Sequence, residues 1–82
     1  MTKGQKQALL DKLRVTRDME EGFDSFAENM TEQVETGSKT AYGVGEEAFR
    51  QYRPDLDARA YTHNYIEKLG ELVILYHLNI KY

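Results

Sequence analysis

The sequence predicts an all-α protein: a long helix, a short helix and a second long helix in a small helical bundle completed by oligomerisation. Apolar residues recur by threes and fours along most of the chain, the spacing of one helical face. Three of the six glycines and the single proline fall between residues 36 and 54, so the punctuation sits between two long periodic stretches. Finally, 82 residues without a cysteine lie near the size at which a lone chain buries barely enough apolar surface to fold. Neither a disulfide nor a thiolate metal site is there to help.

The first element is a helix over residues 5–36. Leu9, Leu13, Met19, Phe23, Phe26, Ala27, Met30 and Val34 fall within an arc of roughly 140° at helical spacing, the width of a core-facing stripe. At 1.5 Å per residue this helix is roughly 48 Å long. Gly22 costs about 1 kcal/mol relative to alanine as an interior glycine and leaves room for a bend, but the stripe keeps its phase across it, so the helix is read as continuous. Thr36-Gly37-Ser38 then stops it, and residues 37–44 form a loop. The tetrapeptide Gly37-Ser-Lys-Thr40 has the ending of a phosphate-binding loop, but Glu32 stands where the earlier glycine belongs and no strand precedes it, so Gly37 is read as a helix cap.

A short helix over 45–52 buries Val44, Ala48, Phe49 and Tyr52 and ends before Pro54. A last helix over 55–79 starts with Pro54 or Asp55 at its cap and Asp57 in its first turn, where an acid suits the helix dipole. Ala58, Tyr61, Tyr65, Leu69, Leu72, Val73, Tyr76 and Ile80 share its inner face. The closing stretch, Glu71 to Tyr82, also alternates with a period of two and could be a strand paired across a dimer. A lone strand would leave its backbone groups without partners, so the helix is preferred. The core expected from these elements is Met19, Phe23, Phe26, Met30, Tyr61, Tyr65, Leu69 and Tyr76, with the tyrosine hydroxyls reaching the edge of the packing.

Charge is polarised along this scaffold. Residues 1–17 carry Lys3, Lys6, Lys12, Arg14 and Arg17 against Asp11 alone, and Lys3, Lys6, Arg14 and Arg17 can share one side of the first helix. Residues 18–38 carry seven acids and no base, within a total of −3. Five of those acids, Glu21, Asp24, Glu28, Glu32 and Glu35, step by three or four and lie opposite the apolar stripe, forming one solvent-facing line. Neighbours at this spacing repel, and no base is interleaved to relieve them. Such a ladder suits docking on a basic protein surface, including one that binds nucleic acid and would take the acids for phosphates. The plainer role of such a face is solubility.

The other candidate surface is apolar. Leu72, Ile74, Leu75 and Leu78 make the end of the last helix apolar nearly all round, as befits an oligomer interface, most simply of a homodimer.

Catalytic chemistry finds little support. Ser25 and Ser38 have no histidine near them in sequence, so no nucleophile–base spacing emerges and no enzyme is expected. His63, Glu67 and Glu71 step along one helix face, a spacing too common to specify a metal; neither metal nor cofactor is expected. The longest apolar run, Leu72 to Tyr76, is too short to span a bilayer and the start lacks a signal peptide's apolar segment, so the expectation is a soluble cytoplasmic protein. The acidic total argues against direct nucleic-acid binding. The sequence therefore points to a small acidic, non-catalytic module that regulates or inhibits a basic protein. The alternatives are an assembly subunit working through its apolar end, or a nucleic-acid-binding regulator using the basic start.

Overall fold

In a computed structural model that describes residues 1–81, with side chains through Asn79, the chain is a small all-α bundle of four α-helices. These are α1 (Lys3–Lys12), α2 (Glu20–Glu35), α3 (Ala41–Tyr52) and α4 (His63–Lys81), with single 3-10 turns at Arg17–Met19 and Ala58–Ala60. No strand occurs among the described residues, so the helical reading of the closing stretch holds. Ile80 and Tyr82, which completed its alternation, lie outside the described side chains.

Threonines cap α1, α3 and α4. Thr2 and Gln5 form a reciprocal capping box: the Thr2 hydroxyl accepts from the Gln5 N–H at 3.1 Å, and the Gln5 side chain accepts from the Thr2 N–H at 2.9 Å. Thr40 accepts from the Gly43 N–H and Thr62 from the Tyr65 N–H, each at 3.1 Å, capping α3 and α4.

The continuous helix over 5–36 is corrected to two. α1 stops at Leu13, and Arg14 takes a left-handed conformation at φ 54°. The Val15 N–H donates to the Leu10 carbonyl at 2.8 Å and the Arg14 N–H to the Asp11 carbonyl at 3.1 Å, the two bonds of a Schellman stop. Burial is the physical reason. In an unbroken helix Leu13 and Val15 would face nearly opposite sides, whereas the break lets Leu9, Leu10, Leu13 and Val15 all enter the core. A rod of the predicted length would also overrun a molecule measuring 31 × 28 × 20 Å. The left-handed arginine costs about 1 kcal/mol relative to glycine.

The other boundaries move less. α3 begins at Ala41 rather than residue 45, because Thr40 supplies the cap. α4 begins at His63 rather than residue 55: Asp57 caps the 3-10 turn instead, its carboxylate accepting from the Arg59 N–H at 3.0 Å, and Thr62 caps the helix proper. Gly37 ends α2 at φ 81° with the same pair of stop bonds, Ser38 N–H to Gln33 at 2.8 Å and Gly37 N–H to Val34 at 3.1 Å.

α4 is the centre of the bundle, and α1, α2 and α3 all pack on it. Its Ile66, Leu69, Val73 and Tyr76 meet Leu9 and Leu13 of the α1 segment, Phe23 and Ala27 of α2, and Val44, Ala48 and Phe49 of α3 in one core. Phe23 touches Tyr52 and Tyr76 edge-on, with ring centres 5.3 and 4.9 Å apart, the favoured geometry for opposed ring quadrupoles. Met19 and Tyr61, expected inside, are 38% and 36% exposed. Met19 falls in the 3-10 turn and Tyr61 precedes α4, so neither belongs to the helical stripe that suggested burial.

Candidate functional site: the acid face of α2

α2 turns Phe23, Phe26, Ala27, Met30 and Thr31 inward, and the spacing that buries them forces the intervening acids outward. Glu21, Glu28, Glu32 and Glu35 are exposed along one side. Asp24 leaves that line. It is half-buried and accepts a hydrogen bond from the Tyr76 hydroxyl of α4, so it belongs to the α2–α4 contact as much as to the surface. Burial first, and the Asp24 carboxylate second, push the Tyr76 phenol well above its ordinary range. The Lys6 ammonium stands 5.8 Å from the centre of the Tyr76 ring.

The outward acids are unrelieved. Among the described residues the ion pairs join Arg50 to Glu47, Arg53 to Asp55 and Arg59 to Asp57, and none involves α2. Glu20 and Glu21 sit in the first turn of α2, where the dipole welcomes them, but the last turn holds no base and ends on Glu35. The second half of the ladder therefore opposes both its own neighbours and the helix dipole. Glu28 and Glu32 border a shallow depression of about 270 Å³ with Ser25 and Asn29, a surface of acceptors and small polar groups suited to lysine or arginine side chains.

The basic residues are divided rather than aligned on one helix. Lys6 and Lys12 lie in α1, over the Tyr76 and Tyr65 rings respectively, whereas Arg14 and Arg17 lie beyond its end at the junction with α2. Thus the change from basic to acidic falls at a helix junction, with Lys12 closing α1 and Asp18, Glu20 and Glu21 opening the next helical run. Part of the charge polarity is terminus chemistry. Arg53, which sequence reasoning missed, ties that junction down: it donates to the Lys12 carbonyl at 3.1 Å and grips Asp55 with two bonds of 3.1 and 2.9 Å. Its only signal in the sequence was the Arg-x-Asp spacing.

Of the proposed oligomer residues, Leu72 packs partly against the core, Ile74 and Leu78 are half-buried, and Leu75 is 45% exposed. His63 stacks flat on Tyr42 with ring centres 4.3 Å apart. Among the described residues no three His, Asp or Glu side chains gather as metal ligands, and no helix is long and apolar enough to cross a membrane. No family model, no curated protein and no solved structure matches the chain.

Proposed function

We propose that the protein is a non-catalytic binding module that docks the acid face of α2 on a basic protein surface and so regulates or inhibits that partner. One observation carries the reading: Glu21, Glu28, Glu32 and Glu35 are exposed on a helix whose described residues make no ion pair, and the last two also oppose its dipole. A charge pattern that weakens its own helix is the kind of local inconsistency found at working surfaces. Lysine or arginine side chains of a partner would relieve it, and the field of the face would speed their encounter. The absence of any base along α2 suits a partner whose own basic surface is broad, such as one that binds nucleic acid in the cytoplasm.

A second reading, an assembly subunit, is favoured by the 45% exposure of Leu75 beside Ile74 and Leu78. Salt separates the two. An acid-face contact weakens steeply as ionic strength rises, whereas an apolar contact holds or tightens. The test is capture of partners from the native host at low and high salt, repeated with Glu21, Glu28 and Glu32 changed together to glutamine. Loss of salt-sensitive partners from the triple variant supports the acid face; retention of the same partners at the same salt replaces it with the assembly reading.

A further inference from the structure

We propose that the junction between α1 and α2 is a carboxylate receptor built on Arg14, and that its occupant is the acid face of α2 in a second copy of this chain. The inference rests on the reading of that acid face as a docking surface and names one thing that docks there.

The chain makes the same helix stop twice. At the end of α2 the left-handed position is Gly37, at φ 81°; at the end of α1 it is Arg14, at φ 54°. Glycine takes this position without strain, and a residue with a β-carbon does not. A strained arginine points to a use for its side chain. Nothing among the described residues supplies that use. Among the described residues Arg14 makes no side-chain hydrogen bond and no ion pair, and Asp55, whose charge it feels, is already held by both arms of Arg53. Arg14 stands exposed, and so does Arg17 three residues on.

Between them runs an open groove of about 510 Å³, floored by Leu10 and Val15. Asp11 and Glu20 line it as well, the first hydrogen-bonded by the Gln7 amide at 2.9 Å. The groove therefore does not attract anions at large. A ligand must bring its carboxylates to the two guanidinium groups and keep them clear of those two acids, which favours carboxylates held on a rigid helix over a flexible polyanion. Guanidinium pairs with carboxylate through two parallel hydrogen bonds, which fixes direction as well as charge. Glu28, Glu32 and Glu35 of a second copy offer exposed carboxylates one helical turn apart. Receptor and ligand lie on the same chain, so a two-fold axis that sets each groove against the other copy's acid face makes the contact twice and closes the assembly as a dimer. A basic partner then competes with the second copy for the same acids.

Sedimentation equilibrium of the whole chain tests this. The expected result is a dimer at micromolar concentration in low salt that dissociates as salt rises. Arg14→Gly should raise the melting temperature while raising the dimer dissociation constant by about tenfold or more, since two symmetry-related contacts are lost. Opposed charge reversals sharpen the result: Arg14→Glu with Arg17→Glu, and Glu28→Arg with Glu32→Arg, should each be monomeric alone and associate one-to-one when mixed. A parent that is monomeric in low salt overturns the proposal. So does an Arg14→Gly variant with an unchanged dissociation constant, a folded pair of reversals that fails to associate, or a salt-insensitive dimer abolished by Leu75→Asp. Any of these results leaves the host capture experiment with the triple glutamine variant to judge the acid face separately.

Discussion

Gly70 of α4 meets Ala41 of α3 backbone to backbone: a β-carbon on Gly70 would stand 1.8 Å from the Ala41 carbonyl oxygen. Gly45 makes the matching approach, its added β-carbon 2.1 Å from the Ile66 carbonyl oxygen. Two glycines thus set how closely α3 and α4 cross.

Gly70→Ala must push the helices apart and strip contacts from the shared core. The expected cost is about 3 kcal/mol or more, the upper end for overpacking, which leaves so small a domain close to unfolded. Gly22→Ala should do the opposite. An added β-carbon there meets nothing within 4 Å, so the change gains about 0.5–1 kcal/mol from helix propensity. Thermal melts followed by circular dichroism decide both, a gain of 1 kcal/mol corresponding to roughly 4–8 °C in a domain of this size.

Tyr76→Phe should cost about 1–2 kcal/mol, because the half-buried Asp24 carboxylate loses its donor. It should also change the alkaline limb of stability. The folded-state phenol is raised by burial and by Asp24, so the fold holds a proton that the unfolded chain releases near pH 10. Stability from this group is complete below about pH 10 and falls as pH rises beyond it. Tyr52, raised by burial, adds to the same loss. Urea titrations between neutral and strongly alkaline pH should show a steeper fall for the parent than for the variant; parallel curves would contradict the assignment.

Arg53 ties the end of α1 to the turn after α3, and none of its three side-chain hydrogen bonds survives in Arg53→Met, which keeps most of the aliphatic stem. Hydrogen exchange should quicken first around Lys12 to Val15 while α3 and α4 stay protected. Lysine should not rescue it, since one ammonium cannot donate to the Lys12 carbonyl and grip both Asp55 oxygens. Asp55 is held below its ordinary range chiefly by this hydrogen-bonded arginine. Its contribution is therefore present above the unfolded value near pH 4 and is lost as pH falls through the lowered one, so the parent and Arg53→Met should converge in acid.

The α2 stripe was legible because Phe23, Phe26, Ala27 and Met30 keep helical spacing and nothing competes for that face. The junction before it was hidden by Arg14, which stands where a stop signal would show glycine. Two clues were present: Leu10 and Val15 fall off the stripe, and the charge changes sign at Asp18, as successive helix ends prefer. By sequence Asp57 falls in the first turn of a helix starting at Pro54 or Asp55, but Asp57 and Thr62 are both caps, and only the fold assigns each its turn. The Gly45–Gly70 crossing leaves no trace in the apolar periodicity, because its residues are glycines that bring no side chain to either face. The acid ladder was visible as spacing along one helix, whereas the withdrawal of Asp24 depends on a tyrosine 52 positions away.

Glu35→Lys separates the working surface from the helix that bears it. Glu35 lies in the last turn of α2, which has no base, and repels Glu32 one turn back. A lysine there complements the dipole and relieves the repulsion, so the variant should be more stable by about 0.3–1 kcal/mol at low ionic strength. The same change removes one negative charge from the proposed docking face and adds a positive one. Partners captured through that face should then elute at distinctly lower salt, with most of the change in a slower association, as expected when a steering charge is reversed. A stability gain without a change in elution would mean that the end of α2 is only a strained helix terminus, and the docking face would have to lie nearer Glu21 and Glu28. A gain in stability together with earlier elution is the signature of charges kept for binding at the expense of the fold.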